Sequence, residues 1–173
     1  MCKIIDKPVN ISKIRSYSNI ILLENLQNPS NIGSIFRSLN AFNTDLVVIS
    51  EDSCDIYSPK VLRASMGAIF KLDIKILKNF KSFLNTLKNN GFKICGAVPN
   101  EKNTQYITTL NKISKKAVIL GNEGNGIRKE TLDLCDCNIT IPMNPSCESL
   151  NVSVAAAIIA WEMRKDFYGQ KNL

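Results

Sequence analysis

The 173-residue sequence predicts an α/β domain built on a mostly parallel sheet with helices on both faces. Short, continuous apolar runs recur along the chain, segments with helical apolar spacing separate them, and polar stretches rich in Gly and Asn fall where the runs end. Continuous apolar runs suit strands buried on both faces, and helices between them are the crossovers that parallel strands require.

The first predicted strand is "NIILL" at 19 to 23. Asn28 and Pro29 then make a turn, Ser30 or Asn31 caps a helix, and Ile32, Ile35, Phe36, Leu39 and Phe42 form its apolar face. "DLVVIS" (45 to 50) and "LDIKI" (72 to 76) are the next strands. A second amphipathic helix carries Phe80, Phe83, Leu84 and Leu87, with Gly91 as its stop signal. "FKICGAV" (92 to 98), "KAVILG" (116 to 121) and "NITIPM" (138 to 143) complete six strands. The last helix opens in "CESLNVSVAAAI", with Ser149 as its cap and Asn151 in its first turn. Val152, Ala155, Ala156 and Ile159 share one face, and the small side chains there allow the sheet or a second subunit to approach closely. No repeat, linker or low-complexity segment divides the chain.

An apolar content of 45% with 21% charged residues excludes a disordered chain. The sequence contains no apolar stretch of membrane-spanning length and no signal-peptide core at its start, so a cytoplasmic location is expected. Six cysteines without a CxxC pair, in a chain with no histidine, argue for free thiols rather than zinc and exclude Ser-His or Cys-His nucleophilic machinery. Acid-base work therefore falls to Glu, Asp, Lys, Tyr or a substrate group. The net charge of +7 fits a polyanionic partner or a solvated basic surface. Only five of the 22 cations are arginines, and Arg37, Arg63 and Arg128 lie in the stretches of interest, where a planar guanidinium fork differs from a lysine point charge.

Three polar segments end strands: "ENLQNPSNIGSIFRSLNAF", "GNEGNGIRKE" and "IPMNPSCESLNVSVAAAI". Ligands of parallel sheets bind at the carboxyl ends of strands, so the three predict one shared site. Arg37 lies among the apolar positions of its helix and must reach solvent or meet an anion. "GNEGNG" lacks the Lys-Ser/Thr pair of a triphosphate loop. Its Gly121, Gly124 and Gly126 read as positive-φ turn positions, and Glu123 between them calls for a donor, with Arg37 and Arg128 as candidates.

Together these motifs resemble the SpoU/TrmH family of RNA ribose 2′-O-methyltransferases in the SPOUT superfamily. The likeness rests on Asn31 with Arg37 six residues later, Gly121, Glu123 and Gly126 in "LGNEGNG", and "IPM" followed by "SLNVSVAAA", and it runs from about 19 to 165. The resemblance implies a C-terminal deep trefoil knot, S-adenosylmethionine as cofactor, a homodimer with the site near the subunit interface, and no metal. It implies a cofactor pocket lined by Ala97, Leu120, Gly121, Ile141, Met143 and Leu150, and a catalytic group of Asn31, Arg37, Glu123, Ser149 and Asn151. Arg37, Arg63 and Arg128 become candidate RNA contacts. Arg37 would stabilise the forming alkoxide and grip a phosphate, Asn151 and Ser149 would orient Arg37 and the ribose, and Glu123 would fix that network. The family often has glycine where this chain has Asn43, a residue that tolerates a left-handed turn.

Residues 1 to 18, with Lys3, Lys7, Lys13, Arg15 and Tyr17, read as a basic arm, and 19 to 173 as a single SPOUT methyltransferase domain. The substrate class is tRNA or rRNA. The rival readings are a catalytically inactive RNA-binding or assembly factor of the same fold, and a base methyltransferase, against which the ribose-type "SLNVSVA" segment argues.

Overall fold

A computed structural model describes residues 11–78, 80–99 and 104–169. Seven parallel strands form one sheet in the order β3-β2-β1-β6-β4-β7-β5. They are β1 (Asn19–Leu23), β2 (Leu46–Ser50), β3 (Ile74–Leu77), β4 (Lys93–Ala97), β5 (Gln105–Tyr106), β6 (Lys116–Leu120) and β7 (Cys137–Thr140). The three central apolar runs β1, β2 and β6 are buried at every position, as strands covered on both faces must be.

Alternation sorts their side chains into two layers. Ile21, Leu23, Val47, Ile49, Val118 and Leu120 face a core shared with α2 (Pro29–Ala41), α3 (Pro59–Ser65) and α6 (Val152–Gly169). Ile20, Leu22, Leu46, Val48, Ala117 and Ile119 face the other, where α4 (Phe80–Asn89) inserts Phe80, Leu84 and Leu87. Two short helices, α1 (Ile11–Ile14) and α5 (Lys129–Leu132), border that second layer, and Ile14 is wholly buried in it. Of the predicted arm, Lys3 and Lys7 lie outside the described residues, Lys13 is exposed, and Tyr17 donates its hydroxyl hydrogen to Asp73.

Several boundaries differ from expectation for local reasons. Asn28, not Ser30 or Asn31, caps α2: its Oδ1 accepts from the Ser30 amide at 2.9 Å, and Pro29 supplies a preset first helical φ. That leaves the buried Asn31 inside the first turn with its side chain available for other work. Likewise Asn151, not Ser149, precedes α6 as its cap, with Oδ1 accepting from the Ser153 amide at 2.8 Å. The last predicted strand stops at Thr140, because Pro142 has no N–H to give the ladder. Neither β5 nor α3 was expected; β5 is two exposed residues and α3 seven, too short for a periodic pattern to show. Asn43 does adopt a positive φ of 50°, closing the turn after α2.

β1, β2 and β3 proceed outward to one edge, after which β4 appears on the far side of β6 and β7 lies beyond it. The order of travel therefore reverses across β1, β6 and β4, and a crevice opens outside their carboxyl ends. The starts of α2 and α6 border it. These helices are tied side by side from Asn31–Asn151 at one end to an edge-on Phe42–Trp161 ring pair, 5.7 Å between centroids, near the other.

Candidate active site

The crevice is a cavity of about 1040 Å³ walled by the segments that follow β4, β6 and β7, with the start of α2 on one side and the start of α6 on the other. Its apolar wall is formed by Ala97, Leu120, Ile139, Ile141, Met143 and Leu150. One wall is bare backbone. A Cβ added to Gly121 would stand 2.1 Å from the Gly126 carbonyl carbon and 2.2 Å from the Ile127 nitrogen, so only glycine permits this approach. Thr140 also lines the cavity, and its buried hydroxyl lacks a hydrogen-bond partner among the described residues.

At the junction of α2 and α6, three side chains form a continuous relay. Asn151 Nδ2 donates to Asn31 Oδ1 at 3.2 Å, and Asn31 Nδ2 donates to Glu123 Oε1 at 3.1 Å. The amides of Gln27 and Asn28 donate to the same carboxylate, at 3.3 and 3.2 Å. Burial alone would raise the Glu123 pKa; the hydrogen bonds from Asn31 and from backbone amides outweigh it and hold the carboxyl below its usual range. Since Asn151 Oδ1 is committed to capping α6, both ends of its amide are used, and the helix start and the relay share one side chain.

The loop bearing Glu123 is built to keep it in place. Asn122 and Gly126 exchange backbone hydrogen bonds at 3.0 Å, Asn122 Oδ1 accepts from the amides of Gly124 and Asn125, and its Nδ2 donates to the Asn25 carbonyl. Below the loop, Glu24 at the end of β1 is 2% exposed and accepts from the Arg128 amide at 2.8 Å and from the Thr131 hydroxyl at 2.6 Å. A buried carboxylate satisfied by two donors pins the loop's exit to the sheet.

All six expected cofactor residues, Ala97, Leu120, Gly121, Ile141, Met143 and Leu150, line the cavity, as do Asn31, Glu123, Ser149 and Asn151. Ser149 is exposed and makes no hydrogen bond with a described residue. Glu123 is paired by Asn31 and two amides rather than by Arg37 or Arg128, because the start of α2 presents donors at shorter reach. Arg128 instead pairs with Asp52. Arg37 is exposed outside the cavity; six residues after Asn31 it lies about 9 Å further along α2 and two-thirds of a turn around it. Arg63, on α3, is exposed as well. Of the three loop glycines only Gly126 has a positive φ, 69°, while Gly121 is needed for close approach.

Sequence reasoning missed Glu24 and the organising role of Asn122. The acid at the end of an apolar strand was a usable signal for the first; nothing in "GNEGNG" distinguishes the two asparagines for the second. Cys54, Cys95, Cys135, Cys137 and Cys147 are free thiols, Cys2 lies outside the described residues, and no group of three or more metal-binding side chains occurs among the described residues. No helix among those residues is long and apolar enough to cross a membrane.

Fold and site thus define a ligand-binding parallel α/β protein whose cleft sits at the point where strand order reverses. Residues 18–161 match the model of the SpoU rRNA Methylase family, and the chain belongs to that family. The chain is 33% identical over 153 residues to the 23S rRNA (guanosine(2553)-2'-O)-methyltransferase RlmP of Bacillus subtilis, covering 88% of this chain and 60% of that protein. Among solved structures, the SpoU methyltransferase AviRb from Streptomyces viridochromogenes, in complex with AdoMet, is similar with a TM-score of 0.79 at 25% identity over 88% of this chain and 61% of the other. The A. aeolicus TrmH/SpoU tRNA modifying enzyme shares the fold, with a TM-score of 0.76 at 24% identity, 91% of this chain and 84% of that one. The chain spans about 60% of the length of the first two relatives.

Proposed function

We propose that the protein transfers a methyl group from S-adenosylmethionine to a ribose 2′-hydroxyl of tRNA or rRNA. The observation that carries this reading is the Asn151–Asn31–Glu123 relay at the edge of a cavity lined by all six residues expected for the cofactor. The cavity suits that group: its volume of about 1040 Å³ is ample for a nucleoside-sized ligand, its walls offer apolar surface, and the close backbone at Gly121 and the unpartnered Thr140 hydroxyl offer polar contacts. The names of the B. subtilis relative, a 2′-O-methyltransferase, and of the AdoMet complex support the acceptor atom and the cofactor.

Bound there, S-adenosylmethionine would supply an electrophilic methyl group for an in-line displacement that needs alignment and charge stabilisation but no metal. The chain's residues divide that work. Glu123, acceptor-only and held as a carboxylate, fixes the Asn31 amide, and Asn31 in turn orients Asn151. With Ser149 beside them, these amides orient the ribose. Arg37 grips an adjacent phosphate and stabilises the oxygen as its charge develops, while the 2′-hydroxyl proton leaves to phosphate, water or another side chain. Arg63 and Arg128 contact the RNA backbone, Arg128 by exchanging Asp52 for phosphate.

We further propose a homodimer in which Arg37 works at the site of the partner chain. Arg37 lies off its own cavity, and α6 exposes Val154 at 46% and Trp161 at 47% beside α2, an apolar face suited to a second copy. The same reading includes the trefoil knot in the segments around β6, β7 and α6, a single methyltransferase domain over 19–173 following a basic arm at 1–18, and a cytoplasmic location.

The test is transfer of labelled methyl from S-adenosylmethionine to total tRNA and to rRNA from cells lacking the gene, followed by nucleoside mass spectrometry. A 2′-O-methylnucleoside in one pool is the expected result. Label on a base, or in neither pool despite measured cofactor binding, would refute it, the latter in favour of the RNA-binding factor.

A further inference from the structure

α3 ends in an unusual way. Met66 takes a left-handed conformation, φ 49°, Gly67 follows at φ 79°, and residues Ala68–Phe70 form a single 3₁₀ turn. Ala68 and Ile69 are each 5% exposed, so the turn is anchored in the core. The same anchoring forces Met66 to 75% and Phe70 to 78% exposure. Two large apolar side chains are thus held out by buried neighbours, and a non-glycine residue occupies a costly backbone region to do so.

Cations flank them along the chain. Lys60, Arg63 and Met66 follow one another at three-residue spacing along α3, and Lys71 follows Phe70 directly. Arg37 stands one turn beyond Gly33, where α2 meets α3 so tightly that a Cβ would lie 2.4 Å from Ala64 Cβ. Arg37, Lys60, Arg63 and Lys71 are all exposed, and none forms an ion pair with a described residue. Asp73, an acid nearby in sequence, accepts the Tyr17 hydroxyl hydrogen.

We propose that Phe70, with Met66 beside it, is a stacking platform for an unpaired base of single-stranded RNA whose phosphates lie on Arg63, Lys60 and Lys71. An aromatic face amid unpaired cations matches single-stranded nucleic acid, which presents a flat apolar base and an anionic backbone at once. The same patch on a second copy would meet it with like charge, so this face does not pair with itself. The platform deepens the RNA reading of the active site, on which it rests: it places a base next to the helix that carries Arg37.

The probe is a short fluorescein-labelled oligoadenylate, titrated at fixed ionic strength onto the protein and its variants, so that binding is read without methyl transfer. Phe70→Ala should weaken binding about 10-fold, Phe70→Leu nearly as much, and Phe70→Tyr should bind as the parent does. Cofactor affinity, oligomeric state and Tm should not move, since the side chain is exposed. Parent-like binding by Phe70→Ala, or by Phe70→Leu, would overturn the stacking role, as would absence of binding by the parent protein. A change of oligomeric state in Phe70→Ala would assign the patch to a second copy instead. If no RNA accepts methyl but oligoadenylate binding still depends on an aromatic at 70, the platform stands and the methyl-transfer reading alone fails.

Discussion

The relay of Asn151, Asn31 and Glu123 and the arginines Arg37 and Arg63 occupy neighbouring elements yet are built in opposite ways. The three side chains of the relay are tied to one another within the chain, and its carboxylate is held charged by two backbone amides and a side-chain amide. The two arginines have no such partners among the described residues; they are exposed cations on α2 and α3. A polar network whose members are bonded to one another keeps one geometry in the absence of ligand. An unpaired surface guanidinium keeps many, and acquires a fixed place only when an anion supplies the other half. On the proposed reading, the chain would preorganise its orienting groups and leave its charge-stabilising groups to be positioned by RNA and by a second subunit.

The largest effect belongs to Arg37→Ala, which should lower single-turnover methyl transfer by about 10²- to 10³-fold while leaving cofactor affinity, measured by calorimetry, and the dimer, measured by sedimentation, as they were. Gly121→Ala should come next, abolishing measurable cofactor binding, since the new Cβ would stand 2.3 Å or less from three backbone atoms of Gly126 and Ile127. Asn151 separates its two duties by a pair of variants. Asn151→Ala should lose the α6 cap, about 1 kcal/mol in urea unfolding, together with activity. Asn151→Ser should recover most of the stability but not the activity, because a serine caps the helix without reaching Asn31 as the amide does.

A smaller effect is expected from pH. The folded-state pKa of Glu123 is depressed, so its contribution to stability is fully present above the unfolded value of about 4.3 and is lost as pH falls through the lower folded value. The difference in urea midpoint between the parent and Glu123→Gln should accordingly be present at neutral pH and shrink on acidification across that range. The smallest belongs to Asn43→Gly, at a position whose φ of 50° glycine tolerates freely; it should shift stability by less than about 1 kcal/mol and leave activity unchanged.

How much of this was legible in the sequence differs between the two regions as well. The strands and the apolar face of α2 could be read because Ile20 to Leu23 and Ile32, Ile35, Phe36 and Leu39 repeat with the period of the element that buries them. The cavity residues followed from polar segments at strand ends and from the family likeness. The relay's connections could not be read. The hydrogen-bonded pairs Asn31–Glu123 and Asn31–Asn151 are 92 and 120 positions apart, and whether a carboxylate meets an arginine or an asparagine depends on where two helix starts converge. The helix caps were displaced by two or three residues for the same reason: Asn28 and Asn151 each had neighbours, Ser30 or Asn31 and Ser149, that satisfy the same local rule. The exposure of Phe70 was invisible because an apolar residue after "GAI" reads as core in any periodicity.

In the proposed dimer, the preassembled relay of one chain and Arg37 of the other complete a single reaction centre. Mixed dimers test it directly: inactive Arg37→Ala and inactive Asn151→Ser proteins, each separately folded and dimeric, are dissociated, combined and reassembled, and methyl transfer to RNA is measured. If Arg37 serves the partner chain's site, the mixed dimer contains one site with both groups intact, and activity should return to about half the parent level per mixed dimer. Equal inactivity of the mixture, with mixed dimers demonstrated by mass, would show that both groups must come from one chain and would contradict the account.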